Sequence, residues 1–297
     1  MQKHFGFLNI NKPVGCTSHD VVAKLRKALG IKKIGHAGTL DPFASGVLII
    51  GINEATRLFE YLPSDKVYIA EIKFGIETDT DDITGKITNE SNNIPTLDQI
   101  TEKIKLFTGD IKQKPPIYSA INIKGEKAYK LARKNQISLD DIKEKEVTIY
   151  SIEIISFIES KLNLKIHCSS GTYIRSIARD LGKSLNTFAT LSSLKRIKTG
   201  DLFTIEKSIN PESITTENLS SYLIYPQKAI NLSTVHLSKE QINDIYYGKP
   251  TFIKDLQIKE KNKELQLLDN NNVLIAIGLL ADDCIIKPKK VFINQNN

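Results

Sequence analysis

The chain has 297 residues, of which 40% are hydrophobic and 25% charged; these proportions exclude a disordered or collagen-like polymer and leave room for one large domain and a small one. Its 41 Lys and Arg outnumber 34 Asp and Glu, for a formal charge of +7. That balance suits a polyanionic partner, because phosphate contacts supply most non-specific nucleic-acid affinity, although an Ile- and Asn-rich chain can also owe its lysines to genomic base bias.

Cys16, Cys168 and Cys284 are far apart and form no CxxC pair, so neither a disulfide framework nor a zinc site is expected, and a reducing cytoplasm fits best. The opening MQKHFGFLNINKP lacks a long apolar core followed by a small-residue cleavage site. No segment approaches the ~18 uninterrupted apolar residues of a membrane span. Neither secretion nor membrane insertion is expected.

In chain order, Phe5 to Ile10 reads as a short strand ending at Asn11-Lys12-Pro13, and Ser18 then caps an amphipathic stretch, VVAKLRKAL, that stops at Gly30. A glycine-punctuated loop, GHAGTLDPFASG at 35–46, feeds an apolar strand, VLIIGI, and a helix near ATRLFEYL. The alternation in KVYIAEIKF from Lys66 to Phe74 fits a half-buried strand, and TDTDDITG a polar turn. Helix follows at TLDQITEKIKLFTG. The segment KQKPPIYSAINIKGEKAYKLARKN joins a Pro-Pro break to several lysines and two tyrosines, after which VTIYSIEIISFI and KLNLKIHCSSG read as two strands.

Strands that follow one another directly, mixed with helices, predict an α+β domain with a mixed, largely antiparallel sheet flanked by helices. NPESITTENLSSY is polar. Past Thr234 the pattern restarts with a helix in HLSKEQINDIYYGKP and short strands ending KPKKVFI. The expected division is a large domain at 1–232, with a basic insertion at about 112–146, and a small β-rich domain at 233–297.

The loop at 35–46 is where chemistry is expected. Pro42 biases Asp41 to an extended backbone, while Gly38 and Gly46 relax steric limits on either side, so the loop can present a carboxylate rigidly. A bare Asp-Pro in such a loop more often closes an Asx-type turn that satisfies backbone donors. Likewise a strand tyrosine such as Tyr68 is ordinarily a packing residue, and Arg175, Arg179 and Lys183 recur at a spacing that also fits a solvated helix face.

The segments NKPVGCTS (11–18), GHAGTLDPFASGVL (35–48) and HCSSGTYIRSIARDLG (167–182) resemble the bacterial tRNA pseudouridine-55 synthase family. KVYIAEIKFGIETDTDDITG and KPPIYSA are also similar to it and fall in its order, so the resemblance covers most of the chain up to about Ile230. It implies that Asp41 is the catalytic aspartate, Tyr68 the active-site tyrosine and Arg175 the arginine that pairs with Asp41. His36, Tyr173 and Leu194 match positions that hold the substrate uridine.

The implied activity is conversion of uridine 55 in the T arm of tRNA to pseudouridine, with no cofactor, nucleotide or metal, by a monomer. A carboxylate serves as nucleophile or base at the sugar, and a flipped base needs an aromatic platform and apolar walls. Ser170 stands where that family commonly has lysine, weakening one expected phosphate contact. The C-terminal segment resembles a pseudouridine-synthase-and-archaeosine-transglycosylase (PUA) type RNA-binding domain only loosely, through YYGKP and KPKKVFI.

His36 is assigned RNA contact rather than proton transfer, since a lone loop histidine is more often a hydrogen-bonding or stacking group. Lys12, Lys124, Lys127, Lys130 and Arg133, the last four interleaved with Tyr118 and Tyr129, are the expected RNA contacts through phosphate pairing and base stacking. Such a stretch can equally be a charged surface hairpin with no partner. Two other functions remain open: a non-catalytic RNA-binding protein, which would not need Asp41, and the same chemistry on uridines of other RNAs.

Overall fold

The computed structural model describes residues 5–123, 125–254, 256, 260–282 and 284–292. The chain opens with β1 (Gly6–Lys12) and α1 (Ser18–Leu29). Thr17, not Ser18, caps α1: its hydroxyl accepts from the Asp20 amide at 3.0 Å while the Asp20 carboxylate accepts from the Thr17 amide at 2.8 Å, a reciprocal capping box. Ser18 is freed to point inward. Gly30, at φ 64°, ends the helix in the left-handed region. The apolar side of α1, Val21, Val22, Leu25 and Leu29, packs on Leu8, Ile10, Leu48 and Ile50.

The first residues of the expected 35–46 loop are not loop. Ile34–Ala37 form β2, which pairs antiparallel with β3 (Ser45–Ile52), His36 facing Ile50 in register. The free loop therefore shrinks to 38–44. The helix expected near 55–62 is a 3-10 segment, Asn53–Tyr61.

Next come β4 (Lys66–Phe74), a hairpin of β5 (Ile76–Thr78) and β6 (Ile87–Glu90), α2 (Leu97–Ile104) and β7 (Gly109–Gln113). The insertion carries β8 (Asn122–Ile123), β9 (Glu126–Lys127) and α3 (Ala128–Arg133). β10 (Lys145–Ile158), β11 (Lys161–Cys168), α4 (Ile174–Ser184), β12 (Ala189–Thr199) and β13 (Phe203–Thr204) complete the large sheet.

Its order is β1-β3-β12-β4-β11-β10-β7, with β2 on β3 and β13 on β12. Pairing is antiparallel except between β3 and β12. That parallel junction is close: Gly46, at φ 103°, faces Arg196, and a Cβ there would run into the Arg196 carbonyl oxygen. On one face α2 and α4 bury Ile100, Ile104, Ile174, Ile177 and Leu181 against Ala70, Ile72, Leu162 and Leu164.

The polar stretch after β13 carries α5 (Leu219–Tyr222) and α6 (Pro226–Ala229) and returns to the first strand. Phe7 and Ile224 exchange two backbone hydrogen bonds of 2.8 Å, and Ile209 bonds to both Asn9 and Asn11, so the outer edge of β1 is covered. A second sheet follows, from β14 (Ser233–His236), α7 (Lys239–Tyr246), β15 (Thr251–Phe252), β16 (Glu264–Leu268), β17 (Leu274–Asp282) and β18 (Ile285–Val291), in the order β14-β16-β17-β18-β15. Leu268, Leu274 and Ile277 share an apolar cluster with Phe7, Val47 and Leu58 of the first unit. The architecture is α+β with a mixed, largely antiparallel sheet and a β-rich C-terminal unit.

Candidate active site

The loop bearing Asp41 is held by side chains from three other elements. Ser18 accepts from the Leu40 amide at 2.9 Å and donates to the Leu40 carbonyl at 3.2 Å. Arg196, 1% exposed, donates from Nη2 to the Gly38 carbonyl at 3.0 Å and from Nε to that of Val47 at 2.6 Å. The Gly15 amide donates to the Pro42 carbonyl at 2.8 Å.

Lys12 corrects the sequence reading. It has no exposed surface; its ammonium donates to the carbonyls of Pro13 at 2.9 Å, Cys16 at 2.7 Å and Pro42 at 3.5 Å. A group so enclosed ties two loops together and is not presented to the solvent. Burial pushes its pKa below the ordinary lysine value.

Asp41 meets Arg175 at the start of α4. Nη2 of Arg175 donates to Oδ1 at 3.1 Å, and Nε lies 3.0 Å from Oδ2 without aiming its N–H along that line, so the second contact is electrostatic. The same guanidinium donates to the carbonyls of Thr80 at 3.0 Å and Tyr118 at 3.1 Å and sits 3.3 Å from Oδ2 of Asp82. Arg175 and Asp82 are buried, whereas the Asp41 side chain keeps about a third of its surface open. One turn on, Arg179 pairs with Asp81 at 2.9 Å. These two arginines thus form no solvated face; of the three at helical spacing only Lys183 is exposed.

Burial raises the Asp41 carboxyl above the ordinary aspartate range, Arg175 opposes this, and Asp82 adds to it. Burial wins. The carboxylate is therefore more basic than a solvated one, a property suited to attack on carbon or to taking a proton.

Asp41 opens into a cavity of about 540 Å³, which is within the size range of small-molecule sites. Tyr68 lies on β4 with Ile166 and Arg196 as its strand neighbours, and is buried with Leu40 and Leu194. Tyr68, Tyr173 and Leu194 all line the cavity with Asp41 and Arg175. Burial raises both phenols, so they are neutral near pH 7 and offer a ring face and a hydroxyl rather than a charge. Among the described residues, no group of three or more His, Cys, Asp or Glu side chains is placed to hold a metal ion.

His36 does not join this set. It sits on β2, outside the cavity lining, with Nδ1 buried and unpartnered. Burial first, then His19 and Arg196, push its pKa below the ordinary value. Of the expected RNA contacts in the insertion, Lys130 and Arg133 are exposed, Arg133 over the Tyr129 ring at 5.7 Å, while Lys127 is half-buried and donates to Ala120. Lys124 lies outside the described residues. Tyr118 and Tyr129 reach the cavity wall.

Sequence reading missed Arg196, Asp82 and Gln113, whose amide accepts from the Tyr173 N–H at 2.8 Å and donates to its carbonyl at 3.0 Å. For Arg196 a signal existed: in SSLKRIKT it falls two residues after Leu194, on the inward face of a strand, where a charge is costly unless used.

Residues 26–174 match the TruB family pseudouridylate synthase N-terminal domain. The chain is 41% identical to the tRNA pseudouridine synthase B of Microcystis aeruginosa, over 97% of this chain and 99% of that protein. It is 43% identical to that of Thermosipho melanesiensis, over 92% and 90% respectively. Among solved structures, that of a Cbf5-Nop10-Gar1 complex covers 100% of this chain and 87% of its own with a TM-score of 0.74 at 24% identity. An H/ACA RNP bound to a substrate RNA containing 2'-deoxyuridine gives 0.70 at 23%, over 98% and 86%. Those two likenesses are of fold.

Proposed function

Since the chain belongs to the TruB family of pseudouridylate synthases, it isomerises uridine to pseudouridine, and we propose that its target is uridine 55 in the T arm of tRNA with Asp41 as the catalytic group. The observation that carries this reading is the pair of Asp41 and Arg175 in the lining of a cavity shared with Tyr68, Tyr173 and Leu194. The uridine leaves its stack and enters between these apolar and aromatic walls, which offset unstacking costs of a few kcal/mol.

The N1–C1′ bond then breaks with help from the Asp41 carboxylate, either as nucleophile at C1′ or as base at the neighbouring carbon. The freed uracil rotates and C5 bonds to C1′, displacing the Asp41 carboxylate on the first route or accompanied by return of the proton taken from the neighbouring carbon on the second; the C5 proton then leaves and N1 takes up a proton. Atoms and oxidation state balance without a co-reactant. Arg175 positions the carboxylate, and neutral Tyr68 packs against the base and can relay a proton through its hydroxyl.

The exposed Lys130 and Arg133, together with Lys127, grip the RNA backbone. His36, neutral at pH 7, meets the strand outside the cavity. The β-rich unit at 233–297 adds an RNA-binding surface, and the protein acts as a monomer in the cytoplasm. No helix among the described residues is long and apolar enough to cross a membrane.

The test is tritium release from C5 of uridine in an unmodified T-arm stem-loop. Wild type is expected to release it and leave pseudouridine at the T-loop position, and Asp41→Asn to be about 10²- to 10⁴-fold slower. Release by Asp41→Asn at the wild-type rate would sink the assignment of that residue. Binding without release by either protein would leave an RNA-binding function alone.

A further inference from the structure

We propose that the cavity rim carries a phosphate site, formed by the ammonium groups of Lys145 and Lys66 beside the Ser170-Gly171-Thr172 loop, that holds one phosphodiester of the RNA strand next to the flipped nucleotide. The proposal rests on the reading that this chain acts on RNA.

The loop is fixed from both sides. Gln113 of β7 bonds to both backbone groups of Tyr173. On the other side, the Ser169 amide donates to the Thr148 carbonyl at 2.8 Å while the Thr148 amide donates to the Ser169 hydroxyl at 2.9 Å. Lys145 opens β10 directly opposite Gln113 in register. Its side chain crosses the loop at Gly171, which has φ 85° and no Cβ; a Cβ there would collide with the Lys145 ammonium. Gly171 lines the cavity, and the Lys145 ammonium lies against Gly171, next to that lining though not part of it. Ser170 beside it supplies no cation of its own, and Lys145 brings one from a different strand.

Lys66 approaches from β4. It precedes Tyr68 by two residues, so both project from the same side of the strand, and both line the cavity. Its Nζ donates to the Ser64 carbonyl at 2.9 Å, leaving two N–H groups free. The adjacent carboxylate, Asp65, is occupied by His167 at 2.9 Å.

Elsewhere on the surface, lysines such as Lys24, Lys33, Lys161 and Lys165 have carboxylate partners. Among the described residues, neither Lys66 nor Lys145 pairs with one, and Arg196 adds a third positive charge nearby. Burial, with Arg196 and Lys145 repelling and Cys168 and Asp65 opposing them, brings the Lys66 ammonium down to about 8. Cations gathered at a rim with no counter-ion are completed by an anion. In an RNA strand whose base has swung inward, the anion within reach is its own backbone.

The experiment measures binding of the T-arm stem-loop across salt concentration, and turnover, for wild type, Lys145→Ala and Lys145→Arg. Lys145→Ala is expected to weaken binding about three- to ten-fold and to lower the slope of log affinity against log salt by about 0.7 to 0.9, the share of one phosphate. KM should rise while kcat stays within about two-fold, and Lys145→Arg should restore both.

RNAs with a neutral methylphosphonate at single positions around the target locate the contact. At one position wild type should lose affinity and Lys145→Ala should not. A Lys145→Ala protein with wild-type affinity and salt slope, or equal losses in both proteins at every methylphosphonate, would overturn the site while wild-type tritium release left the enzyme reading standing. Absence of release by wild type from any RNA would remove both.

Discussion

The Asp41 loop and the insertion between β7 and β10 border the same cavity and are held in opposite ways. In the loop, the carbonyls of Gly38, Leu40 and Pro42 are each bonded by a side chain from another element: Arg196, Ser18 and Lys12. The insertion is tied to α4 at its start, where Arg175, Ser176 and Arg179 bond to the carbonyls of Tyr118 and Lys114; farther along, its polar contacts include Lys127 with Ala120, Lys134 with Glu126 and Arg133 with Tyr129. An exposed ion pair such as that of Lys134 and Glu126 adds about 0 to 1 kcal/mol. The difference separates two tasks. On the function proposed above, a reacting carboxylate at Asp41 must stay in place to within a fraction of an ångström, whereas an RNA-gripping insertion would gain from being able to adjust.

Removing the fixed partner should have the largest effect. Arg175→Gln leaves Asp41 and Asp82 facing each other without their shared cation, and losing one member of a buried pair costs about 3–5 kcal/mol. Thermal unfolding should register that loss, and tritium release should become undetectable. Wild-type stability in this variant would mean that the pair is not what organises the site.

A smaller and more discriminating effect concerns pH. Because burial raises the Asp41 carboxyl, the reactive ionised form should be lost, as pH falls, at a higher pH than the ~3.9 of a free aspartate. The sign for stability is opposite. A group whose folded pKa exceeds its unfolded one binds more protons when folded, so its protonation in this window favours the fold. Single-turnover rates should therefore drop on acidification before the melting temperature does. Coincident losses would assign the acid limb to unfolding rather than to Asp41.

The smallest effect belongs to the insertion. Lys130→Ala should reduce RNA affinity only a few-fold, equally across sequences, and lower the salt slope by about one unit or less. A change in kcat with unchanged affinity would erase the distinction between the two regions.

The elements themselves were largely legible in the sequence, since alternation in KVYIAEIKF and the amphipathic VVAKLRKAL encode local period and burial. The contact between Asp41 and Arg175 was legible because a motif surrounds each of them. What escaped were relations between distant segments. Nothing local in Ser18 tells that Thr17 will take the cap and release it to hold Leu40. Lys12 looks like a surface cation until three carbonyls close over it. The loop at 35–46 lost its first residues to β2 because pairing with β3 is a tertiary event that glycine content alone does not exclude.

The covered edge of β1 has a bearing on how this chain is made. Phe7 receives its outer hydrogen bonds from Ile224, more than two hundred residues later. At a synthesis rate of about 5–20 residues per second, β1 waits roughly 10–40 seconds after its own synthesis for the segment that seals it. Through that interval its open side is an invitation to any other nascent strand, so β1 is guarded only once the segment around Ile224 has been translated.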